Sequence, residues 1–272
     1  MLASRDGARH EARDEDEGHG MTVIGILGAN GRMGRAIATV APELGAGLAG
    51  GVDQEGAVFG PHGDAPALAA ASDVLVDFSA PSALAGHLDA ALAAKVALVV
   101  GTTGLQPEHH RLIDDAAARG LAVLQSANTS LGVNILAHLV RETAARLGSD
   151  WDIEIVEMHH RHKVDAPSGT ALLLGTAAAQ GRNATPEALN RFDRIGHGND
   201  RPREEGTIGY ASLRGGSVAG DHMVVFATDN ERIELGHRAE NRAIFARGAV
   251  KACLWMAGRP AGRYAMGDVL GL

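Results

Sequence analysis

A short apolar run, Val23, Ile24, Ile26 and Leu27, feeds directly into the loop GANGRMG at residues 28–34 and then into a helical pattern over 35–44. A strand, a G-x-x-G-x-x-G turn and a helix in that order leave few folds open. Glycines at 28, 31 and 34 let the backbone turn sharply, approach a pyrophosphate closely and pack helix on strand, with phosphate against the helix N-terminus. A second strand over 48–52 ends at Asp53, about twenty residues past the loop, where a carboxylate accepts hydrogen bonds from an adenosine ribose. Taken singly, the loop is also compatible with a plain tight turn, and Asp53 with a strand-ending turn residue. Together they predict a dinucleotide site contacted by Gly28, Ala29, Asn30, Gly31, Arg32, Met33 and Asp53.

Three more apolar strand patterns follow, over 74–78, 96–100 and 121–124, separated by helical stretches over 81–93 and 107–119. Parallel strands buried on both faces read as continuous apolar runs, as these do, and ligands collect at the carboxyl ends of such strands. Those ends carry Asp77-Phe78-Ser79, Gly101-Thr102-Thr103-Gly104 and Ser126-Ala127-Asn128-Thr129. With 3% aromatics in a chain that is 45% hydrophobic, cores must be built from Ala, Val, Leu and Ile, as helix-on-sheet packing permits. The pattern then changes. A helix over 133–146 precedes shorter alternating strands over 207–213, 223–228 and 232–235, with turns at Gly215-Gly216 and Asp229-Asn230, which predicts antiparallel strands with one covered face. A last helix over 242–256 stops at Gly258 and Pro260. The expected fold class is α/β, a Rossmann-type doubly wound parallel sheet with a second α+β domain carrying a mixed or antiparallel sheet. Residues 21–127 and 239–272 are expected to form the dinucleotide-binding domain and 128–238 the second domain. Residues 1–20, charged and without apolar periodicity, read as a disordered leader, with Met21 a candidate native start.

Between the two patterns lies EIVEMHHRHKVDAPSGTA, residues 154–171. An apolar, β-prone segment delivers His159, His160, Arg161, His162 and Lys163 into one loop, and Ser168, Gly169 and Thr170 then open a helical run over 171–180. Cations on one side and a helix N-terminus on the other describe a pocket for an anion. Histidines also bind zinc, but adjacent residues on an extended segment face opposite ways, so only His160 and His162 could share a side, and no H-E-x-x-H spacing supplies a helical pair. No metal site is expected.

The run E-x-H-H-x-x-K-x-D-x-P-S-G-T-A, from Glu157 to Ala171, resembles the signature of the 4-hydroxy-tetrahydrodipicolinate reductases, also called dihydrodipicolinate reductases, of bacterial lysine and diaminopimelate synthesis. The resemblance extends from Val23 to the C-terminus. It implies hydride transfer from NADH or NADPH to a cyclic dicarboxylate, with loss of water and uptake of a proton. It places the family's proton-donating histidine on His159 and its catalytic lysine on Lys163, and the substrate carboxylates on His160, Gly169 and Thr170. It also lines the cofactor crevice with Gly101, Thr102, Thr103, Ser126, Ala127, Asn128 and Thr129, returns the last helix to the nucleotide domain, gives residues 128–238 substrate-binding and oligomerisation roles, and implies a homotetramer. Thr129 stands where many members have an aromatic, Ala80 where some have a basic residue, and Gln54 where some have arginine. These departures bear on cofactor preference and nicotinamide packing rather than on reaction class.

A net charge of −8 and a pI near 5.9 argue against a nucleic-acid partner. No stretch is apolar enough to span a membrane and no signal peptide is visible, so a cytoplasmic protein is expected. The single cysteine, Cys253, lies in an apolar helical pattern and reads as core rather than as the nucleophile of a thioester-forming dehydrogenase. Asp53 next to the uncharged Gln54 predicts a preference for NADH over NADPH. Two rival readings stand beside the reductase: a metal-dependent hydrolase using His159–His162, and a non-catalytic dinucleotide sensor. Chelator-resistant oxidation of NADH with the cyclic substrate excludes both.

Overall fold

The computed structural model describes residues 20–193 and 202–272. Apart from Gly20, the expected leader lies outside the described residues, as does part of the polar segment after Asn183. The elements run β1 (Val23–Leu27), α1 (Arg32–Glu43), β2 (Gly47–Asp53), β3 (Gly56–Phe59), α2 (Ala65–Ala70), β4 (Val74–Asp77), a 3-10 turn (Pro81–Ala83), α3 (Leu84–Ala94), β5 (Ala97–Val100), α4 (Pro107–Ala118), β6 (Ala122–Gln125) and α5 (Leu131–Arg146). They continue with β7 (Asp152–His159), α6 (Gly169–Gly181), α7 (Pro186–Leu189), β8 (Asn190–Arg191), β9 (Ile208–Arg214), β10 (Gly220–Ala227), β11 (Arg232–Ala239), α8 (Ala243–Met256), β12 (Gly262–Tyr264) and α9 (Met266–Leu270).

The first sheet has the order β12-β6-β5-β4-β1-β2-β3, parallel except for β3, which runs antiparallel to β2. Both faces are covered. Ile24, Ile26, Val74, Val76 and Val99 pack under α1 and α8, while Leu27, Leu75, Leu98, Val100 and Val123 pack under α2, α3 and α4. That double burial is why these strands read as unbroken apolar runs. Cys253 is fully buried in the α8 layer, and burial pushes its thiol pKa up. The strand order reverses at β1, so the crevice between the carboxyl ends of β1 and β4 is the place a ligand takes in such a sheet.

The second sheet has the order β11-β10-β7-β9-β8. Its β11, β10 and β7 are antiparallel and β7, β9 and β8 are parallel, so the sheet is mixed, as expected for the second domain. The long connection through α6 carries the chain back across the sheet, which permits a parallel neighbour where a hairpin would not. One face is covered: Ile153, Ile155, Ile208, Val224 and Phe226 pack against Leu136 and Val140 of α5 and Leu174 and Ala178 of α6. The small elements β3, α2, α7, β8, β12 and α9 are absent from the sequence reading, because each is too short to show a period.

Helix α8 closes the first sheet and also grips the segment that crosses to the second. Thr129 Oγ1 donates to the Phe245 carbonyl at 2.7 Å, and a Cβ on Gly248 would lie 1.7 Å from the Thr129 carbonyl oxygen. Gly248→Ala is therefore expected to force α8 and the crossing segment apart, destabilising the protein by about 1–3 kcal/mol or more. An unchanged melting temperature would show that this contact is soft.

Candidate functional site

At the first crevice, each glycine of the loop has a separate steric reason. Gly28 has φ +77°, and a Cβ there would meet the Phe78 carbonyl oxygen at 2.6 Å; a Cβ on Gly34 would meet the Gly28 carbonyl oxygen at 2.4 Å. Gly31 is the N-cap of α1 and no side chain caps that helix, so its first amides are offered to an anion. The Asp53 carboxylate is fixed: Oδ2 accepts from the Asn30 amide and Oδ1 from the Gln54 amide, both at 2.9 Å. Arg35 Nη2 donates to Asn30 Oδ1 at 2.6 Å. These residues form a cradle that could hold a dinucleotide pyrophosphate and ribose.

The crevice-lining candidates differ in what they present. Asn30, Gly31, Arg32, Thr103 and Ala127 are exposed at its rim, and Asp53, Ser126 and Asn128 are half-buried. Ala29 is buried, and Met33 packs into the core beneath the loop. A Cβ on Gly101 would strike the Phe78 ring at 2.2 Å. Thr102 and Thr129 are buried with their hydroxyls committed to Asp77 and Phe245, so their side chains face the scaffold.

The substrate-side candidates hang on β7. Alternation along that strand points Ile153, Ile155, Glu157 and His159 toward the helices. Glu157, 1% exposed, was quoted in the signature without a role, yet it is the hub. Its Oε2 receives Arg214 Nη1 at 2.8 Å and His159 Nδ1 at 2.5 Å; its Oε1 receives Arg214 Nη2 at 2.8 Å and the Ser168 amide at 3.2 Å. Burial raises the Glu157 pKa, but hydrogen bonds from Arg214, Ser212 and His159 outweigh it and hold the carboxyl at about 2. Arg214 Nη2 also donates to the Asp165 carbonyl at 2.5 Å, which ties the cationic loop to the same hub.

With Nδ1 bound to Glu157, His159 turns Nε2 the other way. It lies over Gly220, where a Cβ would approach to 3.0 Å. His222, directly opposite Glu157 across the β7–β10 pairing, sits edge-on to His159 with ring centroids 5.1 Å apart. Ser168 caps α6: its Oγ accepts from the Ala171 amide at 3.1 Å and is hydrogen-bonded to His222 Nε2 at 2.9 Å. Burial first, then the neighbouring His159, pushes the His222 pKa down to about 4. His222 and Arg214 escape a reading of local motifs because they come from distant strands; the signal of His222 is a polar residue at an inward position of an otherwise apolar alternation.

Lys163 Nζ is clasped by both oxygens of Asp165 at 2.8 and 2.9 Å. His160 points elsewhere, its Nε2 being 3.2 Å from Arg242 Nη2 at the head of α8, and its pKa is lowered by partial burial and then by that guanidinium. Among the described residues no group of three or more His, Cys, Asp or Glu side chains gathers as metal ligands. The two halves of the site meet directly: Asn128 Nδ2 donates to Thr170 Oγ1 at 3.0 Å.

A dinucleotide-type doubly wound sheet joined to a mixed-sheet unit, with a cationic loop and a capped helix at the junction, is the architecture of a pyridine-nucleotide oxidoreductase. Residues 22–129 match the family model "Dihydrodipicolinate reductase, N-terminus" and residues 132–270 the model "Dihydrodipicolinate reductase, C-terminus". The 4-hydroxy-tetrahydrodipicolinate reductase of Zymomonas mobilis is 60% identical over 249 residues, covering 92% of this chain and 97% of that one. Its counterpart in Parvibaculum lavamentivorans is 49% identical over 267 residues, covering 92% and 97%. Among solved structures, dipicolinate-bound dihydrodipicolinate reductase from Paenisporosarcina sp. TG-14 shares the fold with a TM-score of 0.72 at 22% identity, over 90% of this chain and 97% of that one. The chain belongs to the dihydrodipicolinate reductase family.

Two measurements test the hub. Glu157→Gln leaves the Arg214 guanidinium without its charged partner in a largely closed site, so a stability loss of about 3–5 kcal/mol is expected. The accompanying fall in kcat should be about tenfold to a hundredfold, part of what a positioned acid contributes; a kcat within twofold of the parent would remove Glu157 from the proton path. The second concerns acid. His222 takes a proton near pH 6.5 when unfolded but only at about 4 when folded, so its stabilising contribution is complete above 6.5 and is lost as pH falls through that window. The slope from one such group is at most about 1.4 kcal/mol per pH unit. Thermal melts of His222→Asn should show a shallower decline between those pH values, and an identical slope would contradict the neutral buried imidazole.

Proposed function

We propose that this chain reduces 4-hydroxy-tetrahydrodipicolinate to tetrahydrodipicolinate with NAD(P)H in lysine and diaminopimelate biosynthesis, with His159 and Lys163 as its catalytic residues. The observation that carries the reading is the Asn128–Thr170 contact, which sets the dinucleotide crevice beside two anion-binding elements suited to a planar dicarboxylate. The glycine cradle and the fixed Asp53 carboxylate fit a bound dinucleotide. When bound, NAD(P)H supplies a hydride from C4 of its nicotinamide.

The chain's own residues bind, orient and handle the proton. The α6 N-terminus at Gly169 and Thr170 takes one carboxylate; a Cβ on Gly169 would meet nothing within 4 Å, so there is open space beside this residue. His160 and the loop cations take the other. His159, held through Nδ1, presents Nε2 as the proton-bearing atom. Lys163 leaves Asp165 to balance the negative charge that develops on the ring nitrogen as the hydride arrives, so Asp165 is a resting partner rather than a reactant. One hydride and one proton enter, and water leaves.

The remaining assignments are part of the same reading. Residues 21–127 with 239–272 bind the dinucleotide, and 128–238 bind substrate and mediate assembly. The uncovered face of the second sheet supports a homotetramer: Val156, Met158, Leu213 and Met223 line a groove of 480 Å³, with Leu213 49% exposed. A cytoplasmic location is in keeping with the reaction; no described helix is long and apolar enough to cross a membrane.

Lys163→Ala should lower kcat by about two to four orders of magnitude and leave NADH affinity nearly unchanged, in an absorbance assay coupled to the synthase that makes the unstable substrate. A loss confined to KM would make Lys163 a binding residue only. Cofactor choice follows from Asp53. A 2′-phosphate about 4 Å from a carboxylate at an effective dielectric near 20 meets roughly 4 kcal/mol of repulsion before relaxation, and the two amides on Asp53 oppose its turning away. Arg32 and Arg35 keep NADPH usable, so NADH should show a modestly higher kcat/KM, and Gln54→Arg should raise the NADPH value alone. A parent enzyme that prefers NADPH at physiological salt would assign the choice to the loop arginines.

A further inference from the structure

Beneath the cofactor crevice, at the carboxyl end of β4, sits a second buried carboxylate that the reaction does not use. Asp77 is 0% exposed and is held from three sides. Its Oδ1 accepts from the Ser79 amide at 2.9 Å, the Ser79 hydroxyl at 2.6 Å and the Thr102 hydroxyl at 3.1 Å; its Oδ2 lies 2.9 Å from His87 Nδ1 on α3. The Ser79 amide also reaches Thr102 Oγ1 at 3.1 Å. An ionised carboxylate only accepts, so His87 must donate through Nδ1 and its tautomer is fixed.

What this carboxylate joins matters more than its burial. Phe78, between Asp77 and Ser79, has its carbonyl against Gly28 and its ring against Gly101, so tightly that neither glycine has room for a Cβ. The glycine-rich loop, the turn after β4 and the turn after β5 thus converge on one segment, whose position is set by Asp77. A carboxylate there without His87 would have one oxygen unpaired out of water, which is costly enough to rearrange the turn.

We propose that Asp77 and His87 are positioning residues for the dinucleotide, acting through the Phe78-Ser79 turn and Thr102 to hold the crevice at the width the cofactor needs. The proposal rests on the reading of this crevice as the NAD(P)H site. It predicts an effect on cofactor binding rather than on the chemical step, because neither side chain reaches the substrate loop.

The test compares His87→Asn, whose side-chain amide can donate from near the Nδ1 position, with His87→Leu, which fills the space but cannot donate. The NADH dissociation constant is measured by enhancement of NADH fluorescence, and kcat at saturating NADH in the coupled assay. His87→Leu should weaken NADH binding by about tenfold or more, the scale of one hydrogen bond to a charged group, with kcat within about threefold of the parent, and His87→Asn should recover most of that loss. Thr102→Val, which breaks the other side of the network, should weaken NADH binding in the same direction and serves if His87→Leu does not fold. Equal NADH affinities for Asn and Leu at position 87, or a fall in kcat at unchanged affinity, would overturn the proposal. Failure of the parent protein itself to bind NADH would instead overturn the assignment of the crevice.

Discussion

The buried ion pair between Glu157 and Arg214 is the interaction on which the substrate side of this molecule depends. One carboxylate orients His159, receives the amide at the start of α6, and fixes the guanidinium that holds the Asp165 carbonyl. His159, the helix N-terminus and the lysine loop come from three stretches of backbone, and each is placed by reference to the same two oxygens. A buried pair of this kind adds little net stability over an apolar substitute of equal volume, whereas losing one partner is severe. Its presence is therefore better explained by the geometry it imposes than by the stability it contributes.

Arg214 can reach Glu157 because β9 runs parallel to β7. The register places His159 opposite Arg214 and Glu157 opposite Ser212, so residues in step along both strands deliver a guanidinium and a hydroxyl to the same carboxylate. On the other flank the antiparallel register sets His222 opposite Glu157, and Gly220 lies against the His159 ring. The glycine gives the imidazole room, and His222, kept neutral by burial, borders it without adding charge. A mixed sheet is thus a condition of the site.

Much of this was legible in the sequence. The strand, glycine loop and helix at the N-terminus, the unbroken apolar strands and the carboxylate of Asp53 reveal a doubly wound sheet because each is a local pattern with a steric cause. The cationic loop and the Ser168 cap are equally local. Glu157 is visible in the signature, but its role is not, since that needs Arg214 from β9 and His222 from β10. The parallel pairing of β9 was hidden for the same reason: strand patterning reports which faces are covered, and direction is set by the crossover through α6. Thr129, expected to line the cofactor crevice, anchors α8 through its hydroxyl, a contact with a residue 116 positions away that no local pattern announces.

The two sheets solve a common problem in the same way. Each must hold several loops at the end of its strands, where backbone amides run out of sheet partners and chain entropy favours disorder. Each does so with a carboxylate at or near a strand end, Asp77 on β4 and Glu157 on β7, fully buried and saturated with donors from neighbouring segments. An acceptor-only group with several lone pairs can fix more independent segments than a neutral amide, because every approaching donor is favoured and charge-assisted. The histidine beside each carboxylate then differs in one respect that decides its use. His87 is turned into the scaffold between α3 and β4, whereas His159 turns its second nitrogen away from its carboxylate, over Gly220.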